Sequence, residues 1–232
     1  MIDGRKVLAI VPARGGSKGL PGKNVAPCGG RPLIEWTVRA ATEASLVDRT
    51  VVSTDDHAIL AAARVAGAEA PFMRPAELAT DVAPMSAVVE HALTTLADGS
   101  EVGVLLQATS PLRTSADIDG ALRTFAASRA PSVVSVSEAT KSPYWMFSLE
   151  PDRRMRPLFP DLSTAEQRQS LPSAYALNGA IYVFDVRWFR QTRRFVTDET
   201  VAFVMPAERS IDVDTALDLA LADLLLMQRA KT

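Results

Sequence analysis

The stretch Val7-Leu8-Ala9-Ile10-Val11-Pro12-Ala13-Arg14-Gly15-Gly16-Ser17-Lys18-Gly19-Leu20-Pro21-Gly22-Lys23-Asn24 sets an unbroken apolar run against a loop with four glycines, three cations and a serine. Its first residues are aliphatic without polar alternation, which predicts a strand buried on both faces, as in a parallel sheet. Gly15, Gly16, Gly19 and Gly22 allow the backbone positive φ and let its N–H groups approach an anion with no Cβ in the way. Arg14, Lys18 and Lys23 add full charge at intervals of four and five residues. A strand delivering such a loop predicts a polyphosphate cradle, although a solvated glycine-rich turn has the same composition.

The spacing excludes two familiar phosphate motifs. A Walker loop has four residues between its glycines and then Gly-Lys-Ser/Thr; here five residues separate Gly16 from Gly22, and Asn24 follows Lys23. A dinucleotide fingerprint needs Gly-x-Gly-x-x-Gly, and the loop contains no Gly-x-Gly. A net charge of −2 argues against a general nucleic-acid binder, so an anionic ligand must be held by a local cluster. With 232 residues and a single cysteine, Cys28, the chain can bury a core without disulfides, which points to a reducing compartment. Arg5 and Lys6 precede the apolar run in the order of a secretory signal, but Arg14 ends it after seven residues. No stretch approaches the ~20 apolar residues of a membrane span, and a soluble cytoplasmic protein is expected.

The thirteen contiguous residues 12–24 resemble the signature of the CMP-sialic acid synthetases, or acylneuraminate cytidylyltransferases, and their nonulosonate-activating relatives. The resemblance implies that the loop holds the triphosphate of CTP through Arg14, Gly15, Ser17, Lys18, Lys23 and Asn24. Arg14 and Lys23 would stabilise charge during the reaction. The segment Arg74-Pro75-Ala76-Glu77-Leu78 resembles the same family and adds Arg74 as a CTP contact. By its own pattern this segment is a long aperiodic loop, unusual in a compact domain unless it has a task.

Beyond the loop the chain alternates. Leu33, Trp36, Ala40 and Ala44 return at helical intervals, and residues 49–54 read as a second buried strand ending in Ser53-Thr54-Asp55-Asp56. Those acids suit either a ligand at the carboxyl edge of a sheet or a cap for the helix carrying Ile59, Leu60, Ala63 and Ala66. A helix over Val88–Leu96, a strand over 101–107, a helix through Ile118, Leu122 and Phe125, and a strand over 132–136 follow. This predicts an α/β fold with a Rossmann-like, three-layer, mostly parallel sheet and helices on both faces. All of residues 1–232 would form a single nucleotidyltransferase domain. From 137 to 177 the alternation fails among prolines and scattered aromatics, a composition too apolar for a free linker. It predicts a protruding arm, and the resemblance implies that this arm makes a homodimer and reaches the neighbour's acceptor site.

The acceptor-side residues rest on the resemblance. Leu105-Leu106-Gln107-Ala108-Thr109-Ser110-Pro111-Leu112-Arg113 implies Gln107 as a contact to the sugar acid; a side chain bonded to nearby backbone is the alternative. Gln167-Arg168-Gln169-Ser170-Leu171-Pro172 implies Arg168 as the partner of the acceptor carboxylate. Asn178-Gly179-Ala180-Ile181-Tyr182 implies Asn178 and Tyr182, the latter equally readable as a core aromatic, and Phe195 falls near the implied acyl pocket. Ser142-Pro143-Tyr144-Trp145 departs from the His-His-Pro-Lys of some bacterial sialate enzymes, which leaves the identity of the acid open. Asp212 and Asp214 point the same way in an extended chain, and paired carboxylates are hard ligands for Mg²⁺; Asp214 or Thr215 could also cap the last helix. The family pattern Ile-Asp-x-Asp implies the metal role, with Asp212 also a catalytic group. The reaction implied is CMP transfer from CTP to the C2 hydroxyl of a sialic-acid-like nonulosonic acid, with pyrophosphate released. An octulosonate or small phosphonate acceptor, a legionaminate-type acid, or an inactive nucleotide-binding module are the alternatives.

Overall fold

The protein is described by a computed structural model covering residues 1–17, 19–160 and 171–229. The first half runs β1 (Val7–Pro12), a hairpin of β2 (Pro27–Cys28) and β3 (Arg31–Pro32), α1 (Leu33–Thr42), β4 (Arg49–Ser53), α2 (His57–Val65), α3 (Met85–Leu96) and β5 (Val102–Leu105). The second half runs α4 (Ser115–Ser128), β6 (Ser132–Glu138), β7 (Phe147–Leu149), β8 (Met155–Pro157), β9 (Tyr175–Asp185), α5 (Val186–Thr192), β10 (Val201–Val204) and α6 (Ala216–Arg229). The principal sheet has six strands in the order β10-β6-β9-β5-β1-β4.

Every residue of β1 is buried, because both faces of the strand are covered. Val7, Ala9 and Val11 face a cluster that includes Ile34 and Val38 of α1, Ile59 of α2 and Leu122 of α4. Leu8 and Ile10 face the opposite cluster, with Val89 and Leu93 of α3 and Phe189 of α5. This is the three-layer arrangement that the unbroken apolar run predicts. Truncating either layer, as in Ile10→Ala, removes packing worth about 2–5 kcal/mol.

The sheet is parallel except for β9, which pairs antiparallel with both β5 and β6. The chain enters β9 from the excursion after β6, and among the described residues of that excursion no α-helix packs as a crossover that would force the parallel direction on it. The base of the expected arm over 137–177 is part of the sheet: Ser137 and Glu138 pair with Ala176 and Tyr175. Beyond it stands the β7–β8 hairpin.

The last helix corrects one expectation. The apolar stripe read as Leu217, Ala220, Leu221, Leu224 and Leu225 is not the buried side, since Leu217 is 78% and Leu224 53% exposed. Ala222 and Leu226 are buried instead, with Leu219 and Leu225 packed beside them. The helix is apolar nearly all round, so periodicity does not choose its rotation; a tertiary contact does. Asp223 accepts the Gly29 N–H at 2.6 Å, and Leu226 packs where a Cβ on Gly29 would stand 2.7 Å away. Among the described residues no helix is long and apolar enough to cross a membrane.

Candidate active site

The order of chain entry into the sheet reverses between β1 and β5: β4 lies on one side of β1 and β5 on the other. In open α/β sheets the crevice beyond the carboxyl ends at such a reversal is where ligands bind. A cleft of about 330 Å³ lies there, lined by Arg14, Gly16, Ser17, Lys23 and Asn24 after β1 and by Gln107, Ala108 and Thr109 after β5. Arg74, Leu78, Thr80, Asp81, Met85 and Val88 form its other wall.

The loop after β1 is held from three sides. The Gly15 N–H donates to Asp55 Oδ1 at 3.0 Å, and a Cβ on Gly15 would stand 2.7 Å from Asp56 Oδ2. The two readings of Asp55-Asp56 therefore separate by residue. Asp56 caps α2 by accepting from Ala58 and Ile59 N–H at 2.7 and 3.0 Å, while Asp55 braces the loop. Asn24 is buried and donates through Nδ2 to the Arg14 carbonyl at 2.9 Å; its Oδ1 is buried without a hydrogen-bond partner. A Cβ on Gly19 would meet the Asp214 carbonyl at 2.8 Å, so the loop lies directly against the segment carrying both acids.

Three cations meet in the cleft. Arg14 pairs with Asp81 at 2.5 Å. The Lys23 side chain is 11% exposed and its Nζ lies 2.9 Å from Asp214 Oδ1. Arg74 is buried, with Nε donating to Ser53 Oγ at 3.1 Å and Nη2 to the Ser53 carbonyl. Burial pushes the Arg74 guanidinium down to about 10; nearby Asp55 opposes that shift and Arg14 adds to it. A buried cation beside another cation is a standing demand for anionic charge.

The acids sit across from this loop. The last helix is capped by Thr215, whose hydroxyl accepts from the Asp218 N–H at 3.3 Å, while Asp218 Oδ2 accepts from the Thr215 N–H at 2.8 Å. Capping therefore leaves the Asp214 carboxylate to Lys23. Burial pushes the Asp212 carboxyl up, Asp214 and Asp218 add to the shift, and the Thr109 hydroxyl and Lys23 oppose it. Asp212 Oδ1 is buried without a hydrogen-bond partner. Two carboxylates, one with an unsatisfied oxygen, fit a hard divalent cation. No third Asp, Glu, His or Cys joins them among the described residues, so further ligands would be substrate oxygens and water.

Of the residues singled out in the sequence, Arg14, Ser17, Lys23, Asn24, Arg74 and Gln107 line one cleft. Gly15 lies just behind it, its amide held by Asp55. Lys18 and Arg168 lie outside the described residues. The Asn178 amide is committed to protein groups: Oδ1 accepts from Ser135 Oγ at 2.6 Å, and Nδ2 donates to Ser210 Oγ at 2.9 Å. Tyr182 is half-buried, its ring 5.7 Å from that of Phe195, which also packs on Phe184 and Phe189. Burial pushes the Tyr182 hydroxyl up, with the Asp212 charge adding to it. Sequence reading missed Asp81 and Arg113, and it gave Asp55 two roles, ligand or cap, neither of which is the loop brace that the structure shows. For Asp55 and Asp81 the signal was an acid near a cationic loop, visible only once distant segments are brought together.

The sequence model of a family described as Cytidylyltransferase matches residues 8–184. The N-acylneuraminate cytidylyltransferase of Escherichia coli is 34% identical over 225 residues, which cover 94% of this chain and 51% of the relative. The chain thus spans about half the length of that protein. The CMP-N,N'-diacetyllegionaminic acid synthase of Legionella pneumophila is 35% identical over 230 residues, covering 95% of this chain and 96% of the relative. A solved CMP:2-keto-3-deoxy-manno-octonic acid synthetase complexed with CTP superposes with a TM-score of 0.72 at 17% identity, covering 97% of this chain and 99% of that one. The last likeness shows a shared fold.

Proposed function

The chain belongs to the cytidylyltransferase family, and on that premise we propose that it transfers CMP from CTP to the C2 hydroxyl of a sialic-acid-like nonulosonic acid, releasing pyrophosphate. The observation that carries this reading is one cleft in which Arg14, Lys23 and Arg74 meet Gln107 at the β1/β5 reversal. The acceptor class comes from the relatives, one named for an N-acylneuraminate and one for a diacetyllegionaminic acid.

The acceptor oxygen attacks the α-phosphorus in line. As that bond forms, the bond from the α-phosphorus to the bridging oxygen breaks, and pyrophosphate leaves with the electron pair. Arg14 and Lys23 oppose the charge that grows on the phosphate oxygens, with Lys18 and Ser17 holding the outer phosphates. Asp212 receives the hydroxyl proton, directly or through water. Gln107 orients the acceptor, and Arg168 pairs with its carboxylate through two parallel hydrogen bonds. Tyr182 and Phe195 complete the acceptor side, and Asn178, whose amide is taken up by Ser135, Ala180 and Ser210, shapes the backbone beside it. Asp212 and Asp214 would hold Mg²⁺, which supplies charge neutralisation and polarises phosphate oxygens. The working unit is a homodimer in the cytoplasm, joined through the arm.

Pyrophosphate release from CTP with Mg²⁺ and a panel of nine-carbon, eight-carbon and phosphonate acids tests the reading. Release is expected with one or more nonulosonic acids. Release only with an octulosonate or a phosphonate would move the enzyme to a different acceptor, and none with any acid would defeat the proposal. In the same assay Lys23→Ala should lower kcat by more than about tenfold, the usual worth of one charge contact at a transition state.

A further inference from the structure

Between β6 and β9 the ladder loses register. Val134 pairs with Tyr182 and Val136 with Leu177, so a step of two residues on β6 meets a step of five on β9. Residues 178–181 bulge out of the sheet. Such bulges re-aim the chain beside functional sites, and their freed backbone groups must find partners.

Side chains supply those partners. The Ala180 N–H donates to Asn178 Oδ1 at 3.2 Å and the Ile181 N–H to Ser135 Oγ at 2.7 Å. A hydroxyl has one proton to give, and Ser135 gives it over its shorter contact, 2.6 Å to Asn178 Oδ1. The Ala180 carbonyl accepts from Arg113 Nη1 at 2.6 Å. Both terminal nitrogens of Arg113 also lie 3.4 Å from the Gln107 carbonyl. Arg113 is 3% exposed, and among the described residues no carboxylate forms an ion pair with it. Burial pushes its guanidinium down to about 9, with only the more distant Asp117 opposing.

A buried guanidinium served by carbonyls alone is an expensive way to close a bulge. Its position shows what the bulge does. Gly179, at φ +72°, puts its backbone where a Cβ would stand 2.8 Å from Gln107 Oε1 and 3.5 Å from Asp212 Oδ2. The bulge tip, the Gln107 amide and the Asp212 carboxylate therefore form one wall, and Arg113 stands behind it.

We propose that Arg113 is a positioning residue for the acceptor: by tying the Gln107 and Ala180 carbonyls together, it holds the Gln107 amide against Gly179 beside Asp212. Asn178 and Ser135 share the task from the other side of the bulge. This rests on the cytidylyl-transfer reading, since it assigns Gln107 to the acceptor. It makes Arg113 selective in effect. The cradle after β1 is braced by Asp55 and Asn24, so loosening the bulge disturbs the acid more than the nucleotide.

The test is steady-state kinetics of the full chain with CTP and an accepted acid, for wild type, Arg113→Met, Arg113→Lys and Ser135→Ala, with Tm measured for each. Arg113→Met should raise KM for the acid about tenfold or more, because small misplacements of a positioning group are costly, while KM for CTP stays within about twofold. Arg113→Lys, which keeps the charge and one donor direction, should recover part of the loss. If Arg113→Met does not fold, Ser135→Ala loosens the same bulge and should show a smaller split in the same direction. Equal rises in both KM values, or a fall in kcat with acid KM unchanged, would overturn the positioning role. A wild type silent with every acid would instead overturn the functional reading itself.

Discussion

Arg14 and Lys23 each face a carboxylate, Asp81 and Asp214 respectively, so the phosphate oxygens of the proposed CTP would compete for cations that already have partners. The Arg14 and Asp81 side chains are 32% and 38% exposed, and a pair this open is worth at most about 1 kcal/mol. Asp81→Asn should therefore tighten CTP binding by up to about fivefold in a calorimetric titration. Weaker binding would mean that Asp81 touches the nucleotide itself. Asp212 presents the opposite balance, a carboxylate that burial disfavours and whose Oδ1 has no hydrogen-bond partner. Asp212→Asn should raise Tm by roughly 2–4 °C, the effect of about 1 kcal/mol in a chain of this size, and should abolish turnover. A variant less stable than wild type would show that Asp212 is held by contacts worth more than its desolvation costs.

At the scale of elements, the segment carrying Asp212 is moored to α4. Arg209 donates to Asp117 through Nε at 2.9 Å and Nη2 at 2.8 Å, and Asp117 forms a reciprocal cap with Thr114. Burial raises the Asp117 carboxyl, but the hydrogen bonds from Arg209 and Thr114 outweigh it and the net shift is down. A depressed carboxyl gives stability that is present above its unfolded value and is lost as pH falls through the folded one. Asp117→Asn should thus be less stable than wild type near neutral pH, and the gap in Tm should close as the pH falls below about 4. A constant gap would mean that the anchor does not depend on charge. The element types were mostly legible, because β1, β4 and β5 are short apolar runs and α1 to α4 keep helical spacing. The direction of β9 was not, since an apolar strand reads the same either way. Nor was the face of α6, which Gly29 and Asp223 decide from 194 positions apart. Arg14 and Lys23 could be read because they share one loop; the role proposed for Arg113 could not, because its partner Ala180 lies 67 positions away.

The core closes around the six-stranded sheet, and among the described residues two groups of exposed apolar side chains stand out. The β7–β8 hairpin and its flanks expose Trp145, Phe147, Met155 and Phe159, with Leu149 70% exposed. Strands of three residues are too short to stand alone in water, so this hairpin needs a cover. The outer face of α6 exposes Leu217, Leu221 and Leu224, on a helix already seated by its other side. The proposed dimer uses the first surface, and the two make different predictions. Sedimentation at micromolar concentration should give twice the chain mass of 24.9 kDa. Leu149→Arg should shift the protein towards monomer and Leu224→Arg should leave it dimeric, because a charge placed in a closed apolar contact has no partner there. The monomeric variant should still bind CTP, whose proposed contacts lie in one chain, and should lose most of its turnover with the acid, because the proposed acceptor site draws on the neighbour's arm. A monomeric wild type would remove the dimer from the mechanism. Dissociation by Leu224→Arg alone would move the interface to α6, and a fully active Leu149→Arg monomer would return the acceptor site to a single chain.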